Sequence, residues 1–283
     1  VRDLARPGKA DVVVIGEGIT ALLVAHSLAQ AGWRTVLIRE QESPPPPGPA
    51  EWPAVPAMGG AERRALARAG HRALDELAGH LPGLRAGEAE WLGADFSGHA
   101  LPRRVPALWY DIGRLLPALA TRAAEAGVDV VRTRVRGISV IEGRVLGVVT
   151  EARRWDARRL VLAVERAGRT LALTRMAQAP LKVPEITWPL RRLRGQGHGR
   201  SVRAGPSGLL WPAEGGMWLW GVLPGVEPDG PCLADVPLAP PDSSPTVGPA
   251  ERVEGLWLAL GTAGWPLVAA GAAIRLADEM LAA

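Results

Sequence analysis

The hydrophobic positions open on a clear alternation of patterns. Val12–Ile15 and Thr35–Ile38 are unbroken apolar runs, as expected of strands covered on both faces. Between them Leu22, Ala25 and Leu28 recur at helical spacing within Ile19–Ala31, and Gly32 closes that helix. Gly16-Glu17-Gly18 forms the turn between the first strand and the helix. Strand, turn, helix and strand make a βαβ unit, which predicts a parallel sheet and an α/β fold.

Further along, Leu74, Leu77 and Leu81 mark a helix over Ala61–Leu81. Gln41–Gly60 contains Pro44-Pro45-Pro46-Pro47 and reads as a long surface loop. Pro82–Trp109 has no clean period and reads as irregular. Asp111 can cap a helix ending near Ala126 and Gly127, although Pro117 argues for a later start. Strands are expected at Val130–Val135, Ile138–Ile141, Arg144–Thr150 and Leu160–Val164, with Glu142-Gly143 as a hairpin turn. Arg132, Arg134 and Arg136 would then share one face of a strand. Leu181–Leu223 supplies more strands, and Pro224–Pro249 is again rich in Pro and Gly. Leu256–Ile274 carries no charge over a length that could span a membrane. Its Gly261, Gly264, Pro266 and Gly271 divide it instead into strand (Leu256–Leu260), loop and helix (Leu267–Leu281).

Composition narrows the class. The chain has 283 residues, 47% hydrophobic and 22% charged, which suits a folded globular protein with a substantial core. A single cysteine, Cys232, excludes an intramolecular disulfide framework and Cys-based metal clusters. The five histidines (His26, His71, His80, His99 and His198) show no metal spacing. Nearly all basic residues are Arg, and there is no Asn; with 26 prolines this fits a thermophile. The Arg153, Arg154, Arg158 and Arg159 cluster lacks an aromatic platform, so no nucleic-acid partner is expected. Val1–Ala10 is charged and poor in apolar residues, unlike a secretory signal, which points to the cytoplasm and no membrane association. The 11 Trp beside one Tyr (Tyr110) and one Phe (Phe96) have no explanation in the pattern.

Gly16-x-Gly18-x-x-Ala21 carries the clearest chemistry. It follows a buried strand and opens a helix, the context of a dinucleotide-binding turn. Gly16 permits the sharp turn, and Gly18 lets the backbone approach a pyrophosphate at the positive helix N-terminus, next to Ile19.

Four segments together resemble the FAD-dependent D-amino-acid oxidase family, which includes glycine oxidase, sarcosine oxidase and D-amino-acid dehydrogenase. They are Asp11–Glu40, Asp111–Val164, Leu190–Gly221 with Arg194-Gly195-Gln196 and Gly208–Pro212, and Pro240–Gly264 with Pro240-Pro241-Asp242 and Gly248-Pro249. The resemblance implies a Rossmann-type FAD domain with a parallel sheet plus a small β-rich second domain. Residues 1–81, 109–169 and 251–283 would form the first, and 82–108 and 170–250 a reduced substrate domain. It implies FAD as cofactor, the Val135 main chain near the adenine, and Gly261 and Gly264 in a loop over the flavin. It also implies hydride transfer to flavin from the C–N bond of a small amine or amino acid.

Several residues depart from the family pattern. Where the family places a ribose-binding carboxylate, counting from Gly16 gives Arg39, with Glu40 next; a one-residue bulge would bring Glu40 into place. Otherwise Arg39 suits the 2′-phosphate of NADP. Glu165 stands where a glycine approaches the cofactor. Pro237 and Leu238 replace a substrate-binding Arg, for which Arg191, Arg192 and Arg194 are the alternatives. His198, in the glycine-rich loop Gly195-Gln196-Gly197-His198-Gly199, is the one histidine that stands as a catalytic candidate. These departures leave two readings open: an amine or amino-acid oxidoreductase, with weak or no turnover of free amino acids by the isolated chain, and a non-catalytic subunit that works with a protein partner.

Overall fold

The computed structural model describes residues 7–40, 50–91, 103–193, 202–205, 208–213, 216–223 and 231–283. The fold is α/β and centres on a six-stranded sheet. Its order is β17 (Thr246–Pro249), β18 (Leu256–Leu260), β11 (Leu160–Leu162), β2 (Val12–Ile15), β3 (Thr35–Arg39) and β7 (Asp129–Arg132). Every neighbouring pair is parallel except β17 and β18. The βαβ opening and the return of Leu256–Leu260 to the same sheet are therefore present as expected.

The sheet's apolar residues split by strand period. Val12, Val14, Leu37 and Val161 face a helical layer of α1 (Ile19–Gln30), α2 (Ala61–Leu77), α3 (Ile112–Glu125) and α5 (Pro266–Ala282). Val13, Ile15, Ile38 and Leu160 face the other side. There they meet α4 (Ala167–Met176) and a four-stranded sheet ordered β1 (Gly8–Lys9), β10 (Arg154–Asp156), β9 (Arg144–Thr150) and β8 (Val135–Ile141). Burial on both faces is what made these strands legible as continuous apolar runs.

An eight-stranded sheet completes the molecule. Its order is β16 (Cys232–Leu238), β12 (Ile186–Leu193), β15 (Gly216–Gly221), β14 (Gly208–Ala213), β13 (Arg203–Gly205), β5 (Leu84–Trp91), β6 (Arg103–Tyr110) and β4 (Trp52–Ala54). Trp52, Trp188, Trp211 and Trp220 from this sheet join Trp265 at the start of α5. Their neighbouring ring centroids lie 5.0–6.2 Å apart, in tilted or edge-on contacts. The high tryptophan content thus has a structural use: large rings fill the space between sheet and helix.

Several sequence expectations are corrected. Within Pro82–Trp109, residues 92–102 lie outside the described residues, and the stretches on either side are not irregular: β5 and β6 pair antiparallel, from Leu84–Tyr110 to Trp91–Arg103. Only part of that pattern is apolar, because Arg85, Glu88, Arg103 and Arg104 lie on exposed positions. Val130–Val135 is not one strand. Thr133 and Arg134 separate β7 from β8, which belong to different sheets, so Arg132, Arg134 and Arg136 do not share a strand face. Within Gln41–Gly60, residues 41–49 lie outside the described residues, and Trp52–Ala54 pairs with β6. Helix α3 starts at Ile112 despite Pro117, with Asp111 Oδ1 accepting from the backbone N–H groups of Gly113 and Arg114. The hairpin turn is as expected, with Glu142 and Gly143 both at positive φ. No described helix is long and apolar enough to cross a membrane, and Leu256–Ile274 is strand, loop and helix.

Candidate cofactor-binding site

A cavity of about 540 Å³ opens beyond the carboxyl ends of β2, β3 and β11. That is the crevice in which open parallel sheets place ligands, and the volume lies within the usual range for small-molecule sites. Gly16, Glu17, Gly18 and Ile19 form its floor. A Cβ on Gly16 would lie 2.2 Å from the Ala163 carbonyl oxygen and 2.8 Å from the Ala21 Cβ. The close packing of β2, β11 and α1 therefore requires glycine at 16, with Ala21 beneath it. Gly18 is the N-cap of α1, and no side chain caps it. The unpaired N–H groups and dipole of that first turn make a place for an anion.

Glu165 occupies this place. A Cβ on Gly18 would fall 1.9 Å from Glu165 Oε1. The Glu165 carboxyl therefore lies directly against the glycine that would admit a phosphate. Burial pushes its pKa up to about 7 from the ordinary 4.5, and the negative charge of Glu17 adds to the rise. The Tyr110 phenol, at the end of β6, is also raised, by burial and then by the charge of Glu165.

A pH test follows. Between pH 4.5 and about 7 the folded chain retains a proton on Glu165 that the unfolded chain has released, so stability falls as pH rises through this window. Glu165→Gln removes the linkage. Thermal melts should show the variant gaining on the parent from pH 4.5 upward and levelling off above about 7. A constant difference across that range would contradict the placement of the half-buried Glu165 carboxyl against Gly18.

The end of β3 is tied to β8 and α4. Glu40 Oε1 accepts from the Val135 backbone N–H at 2.7 Å and from the Arg169 guanidinium, which also donates to the Val135 carbonyl at 3.3 Å. Glu40 reaches the cavity without the expected bulge. The β3–β7 register stays regular through Arg39, opposite Arg132, and Glu40 is the next residue. Arg39 is buried and lines the same cavity, as do Arg166 and Arg169.

Trp52, Tyr110, Trp220 and Trp265 give the cavity an aromatic part to its lining, and Asp235 lines it as well. Gly264 lines it at positive φ, beside Thr262 and Ala263. Gly261, also at positive φ, is not in the lining; its carbonyl accepts from Arg63 at 3.1 Å. Arg191 and Arg192 lie on β12 and do not line the cavity, and Arg192 is exposed. Arg194 and His198 lie outside the described residues. Among the described lining residues, the guanidinium groups come only from β3 and the approach to α4 and its first turn. No group of metal-ligating side chains occurs among the described residues.

Sequence reasoning missed the Glu40–Arg169–Val135 tie, Arg166 and Tyr110. Arg169 lies in a short helix whose residues carry little amphipathic pattern. Tyr110 ends a strand hidden in the stretch read as irregular.

No protein-family model matches the sequence, and no curated protein matches it. Solved structures do. L-amino acid deaminase from Proteus vulgaris superposes with a TM-score of 0.70 at 16% identity, covering 98% of this chain and 91% of that one. Glycine oxidase from Bacillus cereus gives 0.65 at 16% identity, covering 96% and 95%. The chain shares the fold of these two structures. L-alpha-glycerophosphate oxidase from Mycoplasma pneumoniae, solved with FAD bound, shares it too, with a TM-score of 0.66 at 16% identity over 97% of this chain and 95% of that one.

Within that fold the backbone of the site suits a dinucleotide. It has a glycine turn, an uncapped helix N-terminus and a carboxylate just past the second strand. The Glu165 side chain, where it stands, does not suit one, because it fills the phosphate cradle with a carboxyl group.

Proposed function

We propose that the chain binds FAD in this cavity and oxidises the C–N bond of a small amine or amino acid. The observation that carries the reading is the uncapped N-terminus of α1 at Gly18, opening into a cavity that Trp52, Tyr110, Trp220 and Trp265 also line. Gly16, Gly18 and Ile19 would hold the pyrophosphate. Glu40 would take the ribose hydroxyls; Val135, expected beside the adenine, is outside the lining, with its N–H donated to Glu40 and its carbonyl accepting from Arg169. The loop residues Thr262, Ala263 and Gly264 and the lining Trp and Tyr residues would cover the ring system. The chemistry FAD supplies when bound is acceptance of a hydride from the carbon bearing the amine. The chain's own contribution is to bind, orient and exclude water beside the aromatic side chains of the lining.

Anaerobic mixing of the FAD-loaded protein with small amines, glycine, sarcosine, proline and D-amino acids tests this. Bleaching of the flavin bands is expected from small amines ahead of free amino acids, since among the described residues the guanidinium over Trp265, that of Arg63, is taken up by Ser243 and Gly261, and of the cavity-lining Arg39, Arg166 and Arg169 the last is tied to Glu40. Bleaching by none of them favours the second reading, a non-catalytic subunit that acts with a protein partner. Glu165 in the phosphate cradle is the observation on that side.

A further inference from the structure

We propose that Glu165 is a proton-controlled gate on cofactor entry: its carboxyl sits in the phosphate cradle at Gly18, and a dinucleotide seats only when that group is protonated and swings aside. This rests on the FAD reading above. The geometry is direct, because Glu165 Oε1 would be 1.9 Å from a Cβ on Gly18, closer than any ligand atom could share. The backbone of the cradle is otherwise built for an anion, with an extended Gly18 and no side-chain cap on α1.

Charge decides the direction. A pyrophosphate is ionised throughout the neutral range, so an ionised Glu165 repels it in a poorly hydrated site, whereas a protonated one does not. The other ionisable groups around the cavity are Glu17 on the turn, Tyr110 on β6, Arg39 and Glu40 at the end of β3, and Arg166 and Arg169 at α4. Glu185 and Asp235 complete the lining. Glu17 reinforces the repulsion, and its charge adds to the upward shift that burial gives the Glu165 carboxyl. The arginines lie on the β3 and α4 side, where Arg169 is committed to Glu40. His26 and His71 lie on α1 and α2 and do not line the cavity.

The test is equilibrium titration with FAD, followed by quenching of flavin fluorescence, at pH 6 to 8.5. The parent, Glu165→Gln and Glu165→Gly are compared after a melt confirms that each is folded. For the parent, Kd should rise with pH and approach a tenfold loss per pH unit above neutrality, the limit for one obligatory proton. Glu165→Gln should be flat. Glu165→Gly should be flat and about tenfold tighter than the parent at pH 8, the equivalent of 1.4 kcal/mol. A parent profile as flat as that of Glu165→Gln would overturn the gate, as would a slope that survives in Glu165→Gln. If Glu165→Gly is folded yet takes no FAD at any pH, the FAD reading itself fails, and the gate with it.

Discussion

Arg63→Ala is expected to lower the unfolding free energy by about 4 kcal/mol, the sum of lost charge-assisted hydrogen bonds and carbonyls left buried without donors. Arg63 is 1% exposed, within the helical layer. Its guanidinium donates to the Ser243 carbonyl at 3.0 and 3.1 Å, to Ser243 Oγ at 2.9 Å and to the Gly261 carbonyl at 3.1 Å. It also lies over the Trp265 ring, 5.6 Å from the centroid. One side chain thus pins two loops, Pro240–Pro245 and Gly261–Gly264, against α2. Burial lowers its pKa to about 10, opposed by Asp242 and Glu62, so it remains charged at neutral pH. Arg63→Lys keeps the charge without the planar fork and should recover only part of the loss. Urea titration measures both. A loss below about 1 kcal/mol for Arg63→Ala would show that the loops hold without it.

Gly271→Val should be at least as damaging, and loss of soluble protein is the expected result. Helices α2 and α5 approach so closely that a Cβ on Gly271 would lie 2.0 Å from the Leu66 carbonyl oxygen. Reciprocally, one on Gly70 would lie 2.0 Å from the Leu267 carbonyl oxygen. Both obstacles are backbone, so no rotamer change relieves them, and the helices must separate. A control is available in Gly168 on α4, where an added Cβ meets nothing within 4 Å. Gly168→Ala should be neutral or stabilise by about 0.5–1 kcal/mol, through helix propensity alone. Soluble yield and melting temperature distinguish the cases. A Gly271→Val protein that melts like the parent would refute the close crossing.

How much was legible depended on burial. Val12–Ile15, Thr35–Ile38 and Leu256–Leu260 are covered on both faces, so their apolar runs stand out without any knowledge of their partners. The turn Gly16–Ala21 was legible for a related reason, since its glycines answer to local sterics: the Ala163 carbonyl lies where a side chain at Gly16 would be. Strands β5 and β6 were not legible. Their outer positions are polar, Pro106 interrupts the pattern, and they exist because they pair with each other and with β13 and β4. The break between β7 and β8 was hidden for the opposite reason. Val130–Val135 is uniformly favourable for a strand, and only the tertiary structure sends its two halves to different sheets.

The site shows the same division. Counting from Gly16 placed both Arg39 and Glu40 at the end of the second strand and identified Glu165 as the residue out of pattern. It could not show that the Glu165 carboxyl lies against Gly18, because that contact joins segments almost 150 residues apart through the ends of two adjacent parallel strands. Nor could it show Arg169 closing on Glu40 and Val135, a contact between three segments that meet only in the folded chain.

The visible absorption spectrum tests the central claim most directly. Parent protein and Glu165→Gly are incubated with excess FAD at pH 6, freed of unbound flavin and scanned. The account predicts two flavin bands in both, close to one FAD per chain, with the pair surviving transfer to pH 8.5 better in Glu165→Gly. A folded protein that carries no flavin bands in either form would contradict it.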